Sequence, residues 1–271
     1  MAVVEGLDPA TIRLVATDLD GTIVGRDGTI SERTIRALAA VEDSGRRLVL
    51  VTGRPVRWMG DIVAATGHRG VAICANGAVI YDLHAEKLRE WFPLVPDVTR
   101  EVVQRLRAVM PDAGFAVEFP GGFGHDPQYH PRWDVGHPIV APIEELIDEP
   151  VTKLLLRHDT MPSDEMLARA RAALADLAEP THSSNDGLLE VCAPGVSKAT
   201  TLARLAGEWG ISASEVVAFG DMPNDVPMLQ WAGWGFAMTG AHPEAVAAAP
   251  HLTGSVADDG VAQVIEALLA R

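Results

Sequence analysis

The chain has 271 residues, 48% hydrophobic and 22% charged, with no low-complexity tract, a globular make-up that leaves room for one large core or two moderate ones. A formal net charge of −15 without any basic block argues against a groove-bound nucleic acid, and it requires that a bound phosphate be met by a local cation. No apolar run approaches the roughly 18 residues a membrane helix needs, and residues 1–11 carry Glu5 and Asp8 where a secretory signal would be basic and then apolar, so a cytoplasmic protein with no membrane partner is expected.

Leu14-Val15-Ala16 reads as a buried strand ending at Asp18. Ser31 is placed to cap a helix that runs to Ser44, where Gly45 stops it. Leu48-Val49-Leu50-Val51 is a second apolar strand, Pro55 suits the first turn of another helix, and residues 71–75 give a third strand. This alternation predicts a parallel sheet with helices on its faces. Val79-Ile80-Tyr81 and residues 88–94 read as strands facing each other across a turn near His84. Helices follow over 98–110 and 163–177, with strands over 115–119 and 151–156. From 197 the first rhythm returns: a helix over 197–209, the strand Val216-Val217-Ala218-Phe219, a helix over 224–232, the strand Gly235-Phe236-Ala237-Met238, a short helix after Pro243 and a closing helix over 261–270. The expected architecture is α/β: a Rossmann-like parallel-sheet core from residues 1–82 and 188–271, interrupted by an inserted α+β domain over 83–187. Cys74 and Cys192 each lie in a short apolar run and read as buried thiols rather than a disulfide or zinc framework.

The strongest chemical signal is Asp18-Leu19-Asp20-Gly21-Thr22 directly after an apolar strand. Ligands of a parallel sheet bind beyond the carboxyl ends of its strands, which is where this cluster falls. Side chains two apart point the same way, so both carboxylates can face one pocket while Leu19 turns into the core. Gly21 permits a sharp turn that Thr22 can hold by hydrogen bonding. Carboxylates crowded at a buried strand end need a shared cation, and a hard ion such as Mg²⁺ fits oxygen ligands. Gly220-Asp221-Met222-Pro223-Asn224-Asp225 is a second acidic cluster after a second apolar strand, with Asp225 also placed to cap a helix. Thr52-Gly53-Arg54, after the strand at 48–51, offers a hydroxyl, a backbone N–H and a helix N-terminus to an anion. Arg54 could equally pair with a strand-end carboxylate. Lys198, at another helix start, could neutralise a phosphate oxygen.

These four elements, in this order, resemble the haloacid dehalogenase-like phosphatases, and the chain looks like their Cof-type branch, whose mobile α/β cap (a C2 cap) is inserted between the second and third elements. The likeness extends to Ala75-Asn76-Gly77-Ala78 and Asp259-Gly260-Val261 and covers essentially the whole chain. The resemblance implies that Asp18 attacks phosphorus to give an aspartyl-phosphate, while Asp20 protonates the leaving alcohol and then activates water. It implies Mg²⁺ held by Asp18, the main-chain carbonyl of Asp20 and Asp221. Thr52, Gly53, Lys198 and Asn224 would grip the phosphoryl group, with Thr22, Arg54, Asn76 and Asp225 supporting them. The expected function is hydrolysis of a small phosphomonoester, a sugar phosphate or related metabolite. A phosphomutase or phosphotransferase would share the intermediate but need a cap that excludes water. A non-catalytic phosphate-binding module would lack the nucleophile or the acid, and Asp18 and Asp20 are both present.

Within the cap, residues 121–138 hold His125, His130 and His137 with Asp126, Tyr129, Trp133 and Asp134, in a spacing that matches no common metal-ligand pattern. A polar cap loop is expected there, with Tyr129, His130 or Trp133 touching the leaving group. Lys153, in mid-strand, faces either the site or solvent, and solvent is the expectation.

Overall fold

The structure is a computed structural model and describes residues 6–270. Chain order opens with β1 (Leu14–Thr17), α1 (Glu32–Asp43), β2 (Arg47–Val51), α2 (Met59–Thr66), β3 (Val71–Cys74), β4 (Val79–Asp82) and β5 (Lys87–Trp91). A second set follows: α3 (Pro96–Val109), β6 (Gly114–Phe119), β7 (Gly122–His125), β8 (Ile139–Val140), α4 (Ile143–Leu146), β9 (Lys153–Arg157), α5 (Ser163–Leu174), β10 (Glu179–Thr181) and β11 (Leu188–Cys192). The chain then returns with α6 (Lys198–Glu208), β12 (Val216–Gly220), α7 (Val226–Trp231), β13 (Trp234–Met238), α8 (Pro243–Ala248), β14 (His251–Thr253) and α9 (Gly260–Leu269).

The core sheet runs in the order β14-β13-β12-β1-β2-β3-β4-β5, parallel from β14 to β3 and closed at one edge by the antiparallel β4–β5 hairpin. Its central strands, β1 and β12, are buried at every position, as parallel strands covered on both faces must be. Val15, Leu48, Leu50, Val217 and Phe219 face the layer of α1, α2 and α9 through Leu38, Val41, Ile62 and Ile265. The alternate residues Leu14, Ala16, Val49 and Val51 face α6 and α7 through Leu202, Leu205 and Met228. Period-two alternation thus splits each strand between two helix layers.

The second sheet, β10-β11-β9-β6-β7-β8, forms the cap. One face packs on α3 and α5, where Val102, Leu106, Leu167 and Leu174 meet Phe115, Val117, Leu154, Leu156, Leu189 and Val191. The other face looks toward the core. The insertion boundaries differ from those expected at 83 and 187. Lys87–Trp91 pairs with β4 and completes the core sheet, while Leu188–Cys192 pairs with β9 and β10 in the cap sheet. Periodicity distinguishes strand from helix, but sheet membership is a tertiary choice that it does not encode. The two crossings therefore fall near residues 92–95 and 193–197; at the first, Leu94 bridges to Val151 ahead of β9 by reciprocal main-chain hydrogen bonds of 2.9 and 3.0 Å.

Several polar contacts seat the cap on the core. Arg57 binds Glu118 through two nitrogens at 2.8 and 3.0 Å, and Trp91 Nε1 donates to Thr152 Oγ1 at 3.1 Å. Asp164 of the cap accepts from Nε2 of its neighbour His182 at 2.8 Å and from Nε2 of His242 of the core. His242 Nδ1 meanwhile accepts from the Glu244 amide at 3.2 Å, which leaves Nε2 as its donor and makes the trio a hydrogen-bonded clasp. Gly77 shows how tightly the core joins here: its φ is +107°, and a Cβ would lie 2.3 Å from the carbonyl oxygen of Ser197, the residue that caps α6.

Candidate active site

β1 and β12 run parallel in register, Thr17 beside Phe219, so the residues that follow them emerge side by side. The Asp18 amide donates to the Phe219 carbonyl at 3.0 Å, fixing the carboxylate at the strand end. Gly21 lies against Asp221, with φ at +82° and an ideal Cβ position only 2.1 Å from Asp221 Oδ2. Glycine is required there for two reasons: the left-handed backbone, and the approach of the carboxylate. Thr22 is buried, and its hydroxyl donates to Asp221 Oδ1 at 3.4 Å, while the turn it was expected to hold is closed by main-chain bonds to the Leu19 carbonyl.

Lys198 opens α6, oriented by a capping box in which Ser197 and Thr200 exchange hydrogen bonds. Its ammonium donates to Asp18 Oδ1 at 2.6 Å and Asp225 Oδ1 at 2.7 Å, with Lys198 itself 1% exposed. Asp225 is fully buried and turns its second oxygen to the amides of Asp221 and Met222 at 3.0 and 3.1 Å. Both Asp225 oxygens are thus committed, one to the lysine and one to the acidic turn. Asp18 and Asp221 keep oxygens that take no hydrogen bond among the described residues.

Carboxylate oxygens of Asp18, Asp221 and Asp225 lie within 4.8 Å of one another. Three carboxylates against one ammonium leave two negative charges in a buried cluster, the deficit a divalent cation fills. The electrostatics show the strain. Burial, with the Asp225 and Asp20 charges added and Lys198 opposing, pushes Asp18 up to about 7. Burial with the Asp18 and Asp225 charges pushes Asp221 up to about 9. Burial alone would lower Lys198, yet Asp18 and Asp225 together hold its pKa above the usual lysine value. Hard oxygen donors in this number fit a divalent ion of the magnesium or manganese kind, with Asp18 and Asp221 as the side chains free to bind it.

Asp20 lies at the mouth of the site, held by Arg54 through Nη2 at 2.5 Å and Nε at 2.8 Å. Of the two uses its position allowed, Arg54 takes the ion pair. Thr52 is buried, and its Oγ1 accepts from the Arg54 amide at 3.0 Å, closing the turn after β2. Residues 75–77 brace that turn: Ala75 and Asn76 have φ of +51° and +57°, and their amides donate to the carbonyls of Arg54 and Thr52 at 2.9 and 3.0 Å. Such left-handed positions persist only where surroundings over-determine them. Asn76 Oδ1 in turn accepts from Asn224 Nδ2 at 2.9 Å, tying the second and fourth sequence elements together.

A cavity of about 250 Å³ between core and cap is lined by Asp18, Asp20, Gly53, Arg54, Asp221 and Asn224 on the core side. The cap side supplies residues that the sequence did not single out as site residues: Glu118, Glu190, Ser183, Ser184 and Asp186. Their one legible signal was a charge interrupting an apolar strand, at Glu118 after Phe115-Ala116-Val117 and at Glu190 within Leu188-Leu189-Glu190-Val191. Lys153 departs from its expected solvent exposure. It is 3% exposed, lines the cavity, donates to the Gly53 carbonyl at 2.9 Å and pairs with Glu190. Its strand position faces the core because β9 alternates Leu154 and Leu156 into the cap's own core. Burial pushes Glu118 up to about 7 against the pull of Lys153 and Arg57. In the cap loop, Trp133 reaches the cavity and meets Trp58 edge-to-face at 6.1 Å. Tyr129 instead packs inside the cap with Phe123 and Leu155, and His130 is exposed beside Asp159. Cys74 and Cys192 are free and buried, their thiols pushed up to about 12 by burial.

An acidic cluster thus sits at the carboxyl ends of parallel strands, where ligands of such sheets bind, and an inserted cap roofs it. A sequence profile described as haloacid dehalogenase-like hydrolase matches residues 15–265. The chain belongs to the haloacid dehalogenase-like hydrolases, in the Cof-type branch, and its enzyme class is phosphoric monoester hydrolase. It is 29% identical to the pyridoxal phosphate phosphatase YbhA of Escherichia coli K12, over 94% of this chain and 98% of that one. It is 26% identical to the 5-amino-6-(5-phospho-D-ribitylamino)uracil phosphatase YitU of Bacillus subtilis 168, over 93% and 96% of the two chains. The solved structure of BT1666 from Bacteroides thetaiotaomicron, a phosphatase of the same superfamily, superposes with a TM-score of 0.81 at 25% identity, covering 97% of this chain and 98% of the other. Among the described residues no helix is long and apolar enough to cross a membrane.

Removing Lys198 tests the electrostatic bookkeeping. Lys198→Met keeps the chain length but strands Asp18 and Asp225 as buried carboxylates, and a loss of about 3–5 kcal/mol is expected in chemical denaturation without divalent cation. A loss below about 1 kcal/mol would show that the lysine is not what makes these charges tolerable.

Proposed function

We propose that this protein is a Mg²⁺-dependent phosphatase of a small phosphorylated metabolite, a sugar phosphate or a compound of similar size, working through an aspartyl-phosphate on Asp18. The observation that carries the reading is the cluster itself: Asp18, with one oxygen on Lys198 and the other uncommitted, beside Asp221 and a surplus of two negative charges at the floor of the cavity. Related proteins named for hydrolysis of pyridoxal phosphate and of a phosphorylated ribityl-pyrimidine support a small-molecule ester.

One Asp18 oxygen attacks phosphorus, leaving the other available to a cation; the P–O bond to the leaving group breaks, and the phosphoryl group is held on Asp18. Asp20 delivers a proton to the leaving oxygen, exchanging its Arg54 contact for the substrate. It then takes a proton from the water that hydrolyses the aspartyl-phosphate, restoring Asp18 and releasing phosphate. Lys198 neutralises Asp18 in the ground state and the phosphoryl oxygens as charge moves onto them, while the Thr52 hydroxyl, the Gly53 amide and Asn224 orient the group. Mg²⁺, when bound by Asp18, Asp221 and the main-chain carbonyl of Asp20, supplies charge neutralisation between the nucleophile and the phosphate dianion. The cap's Lys153, on the Gly53 carbonyl, steadies the turn that carries these donors.

A phosphate-release screen over sugar phosphates, cofactor phosphates and nucleotides is expected to find turnover that EDTA abolishes. Asp18→Asn should reduce it by on the order of 10³-fold or more; activity in that variant within tenfold of wild type, roughly 1.4 kcal/mol in barrier, would contradict the mechanism.

The raised carboxylates give a second expectation. Without a cation, the folded protein keeps protons on Asp18 to about 7 and on Asp221 to about 9, whereas the unfolded chain releases them near the ordinary value of about 4. Stability from this source is present below about pH 4 and is lost as pH rises through the folded pKa values. Mg²⁺ binds the deprotonated form, so the Tm gain from a fixed Mg²⁺ concentration should grow between about pH 5.5 and about pH 8.5. Differential scanning fluorimetry against EDTA reads it, and a gain that is flat across that range would count against Asp18 and Asp221 as the ligands.

A further inference from the structure

The cap side of the cavity has a hydrogen-bonding polarity of its own. Ser183 spends its hydroxyl proton on Glu190 Oε2 at 2.6 Å, and Ser184 spends its proton on Asp186 Oδ1. Both serines line the cavity, so what they offer a ligand is oxygen lone pairs. The carboxylates of Glu118, Asp186 and Glu190 line it as well. On this wall, acceptors outnumber donors.

The cations nearby are already engaged. Lys153 is paired with Glu190, Arg57 with Glu118, Arg54 with Asp20, and Arg157, itself buried, donates to Asp186 Oδ2 at 3.0 Å. Among the described residues lining the cavity, no cation stands without a carboxylate partner. A second anionic group on the substrate would meet carboxylate and hydroxyl oxygens and find no free positive charge, while hydroxyl or ammonium groups would find oxygens to donate to. Trp58 and Trp133, edge-to-face, give the same space one flat apolar flank.

We infer that the leaving group is rich in hydrogen-bond donors and uncharged or cationic, a polyol or an amino alcohol in character, and that the Ser183–Glu190 and Ser184–Asp186 pairs are specificity-determining residues that reject carboxylate- or phosphate-bearing leaving groups. This rests on the phosphatase reading above and adds the chemical class of the ester. Asp186 is the sharpest point of control, because neutralising it removes a negative charge from the cavity wall while the neighbouring Arg157 keeps its own.

Three matched pairs of esters test it with Mg²⁺ present: glycerol 3-phosphate against 3-phosphoglycerate, glucitol 6-phosphate against 6-phosphogluconate, and phosphoethanolamine against phosphoglycolate. The readout is kcat/KM, or the competitive inhibition constant against p-nitrophenyl phosphate where turnover is slow. The neutral or cationic member is expected to win each pair, by about 100-fold in the hexitol pair. Asp186→Asn is expected to narrow that hexitol ratio by about tenfold, chiefly through improved handling of 6-phosphogluconate. Parity within the pairs, or preference for the anionic members, would overturn the inference while p-nitrophenyl phosphate turnover still upheld the phosphatase. A ratio unmoved in Asp186→Asn would remove Asp186 from it. The wild-type ranking stands as a test even if that variant folds poorly. Release of phosphate from none of the esters, p-nitrophenyl phosphate included, would overturn the phosphatase reading and this inference with it.

Discussion

Burying like charges at the end of a β-sheet is among the more expensive things a protein does, and the surroundings of Asp18 are organised around that expense. Three carboxylates share one ammonium. Left so, the cluster protonates, as the upward shifts of Asp18 and Asp221 express. Given a divalent cation, the same oxygens become a ligand set. The rest of the core serves to keep those groups together. Parallel pairing of β1 with β12 brings Asp18 beside Asp221, the absent side chain at Gly21 lets Asp221 approach, and the α6 N-terminus carries Lys198 in from the opposite layer.

The cap answers a different problem. A cavity open to water would hydrate every charge in it, and a phosphoryl-transfer site works best where water is limited to the molecule that reacts. The cap closes the space with a buried ion pair of its own, Lys153–Glu190, and with Glu118 held by Arg57 of the core. Such pairs contribute little net stability, because desolvation offsets most of their attraction, but they fix register. Lys153 reaching the Gly53 carbonyl links the cap's position to the Thr52-Gly53-Arg54 turn of the core. The proposed catalytic floor and the proposed selective roof stand on separate sheets, an arrangement in which the roof can change while the floor stays constant.

How far the sequence was legible follows from where each kind of information resides. The core sheet could be read because its strands are continuous apolar runs, each ending in a chemically distinctive turn: Asp18-Leu19-Asp20 after β1, Thr52-Gly53-Arg54 after β2, Gly220-Asp221 at the end of β12. The short cap strands were harder. Gly122–His125, Ile139–Val140 and Glu179–Thr181 carry glycine, proline or too few residues for a period to show. Lys153 was expected in solvent, since nothing local says that a strand 37 positions away will place Glu190 against it. The insertion boundaries shifted for the same reason: β5 read as a strand and β11 only as a short apolar run, and the sheet each joins is decided by distant partners.

Sharing of one divalent ion by Asp18 and Asp221 is the claim on which the chemistry turns. Crystals grown with Mn²⁺ and measured at the manganese absorption edge would locate that ion directly. The account predicts one strong anomalous peak roughly 2.2 Å from a carboxylate oxygen of each residue, with Lys198 still on Asp18. A protein that binds Mn²⁺ only elsewhere, at Asp164, His182 and His242 for example, or that leaves Asp18 and Asp221 without it at saturating concentration, would contradict the account.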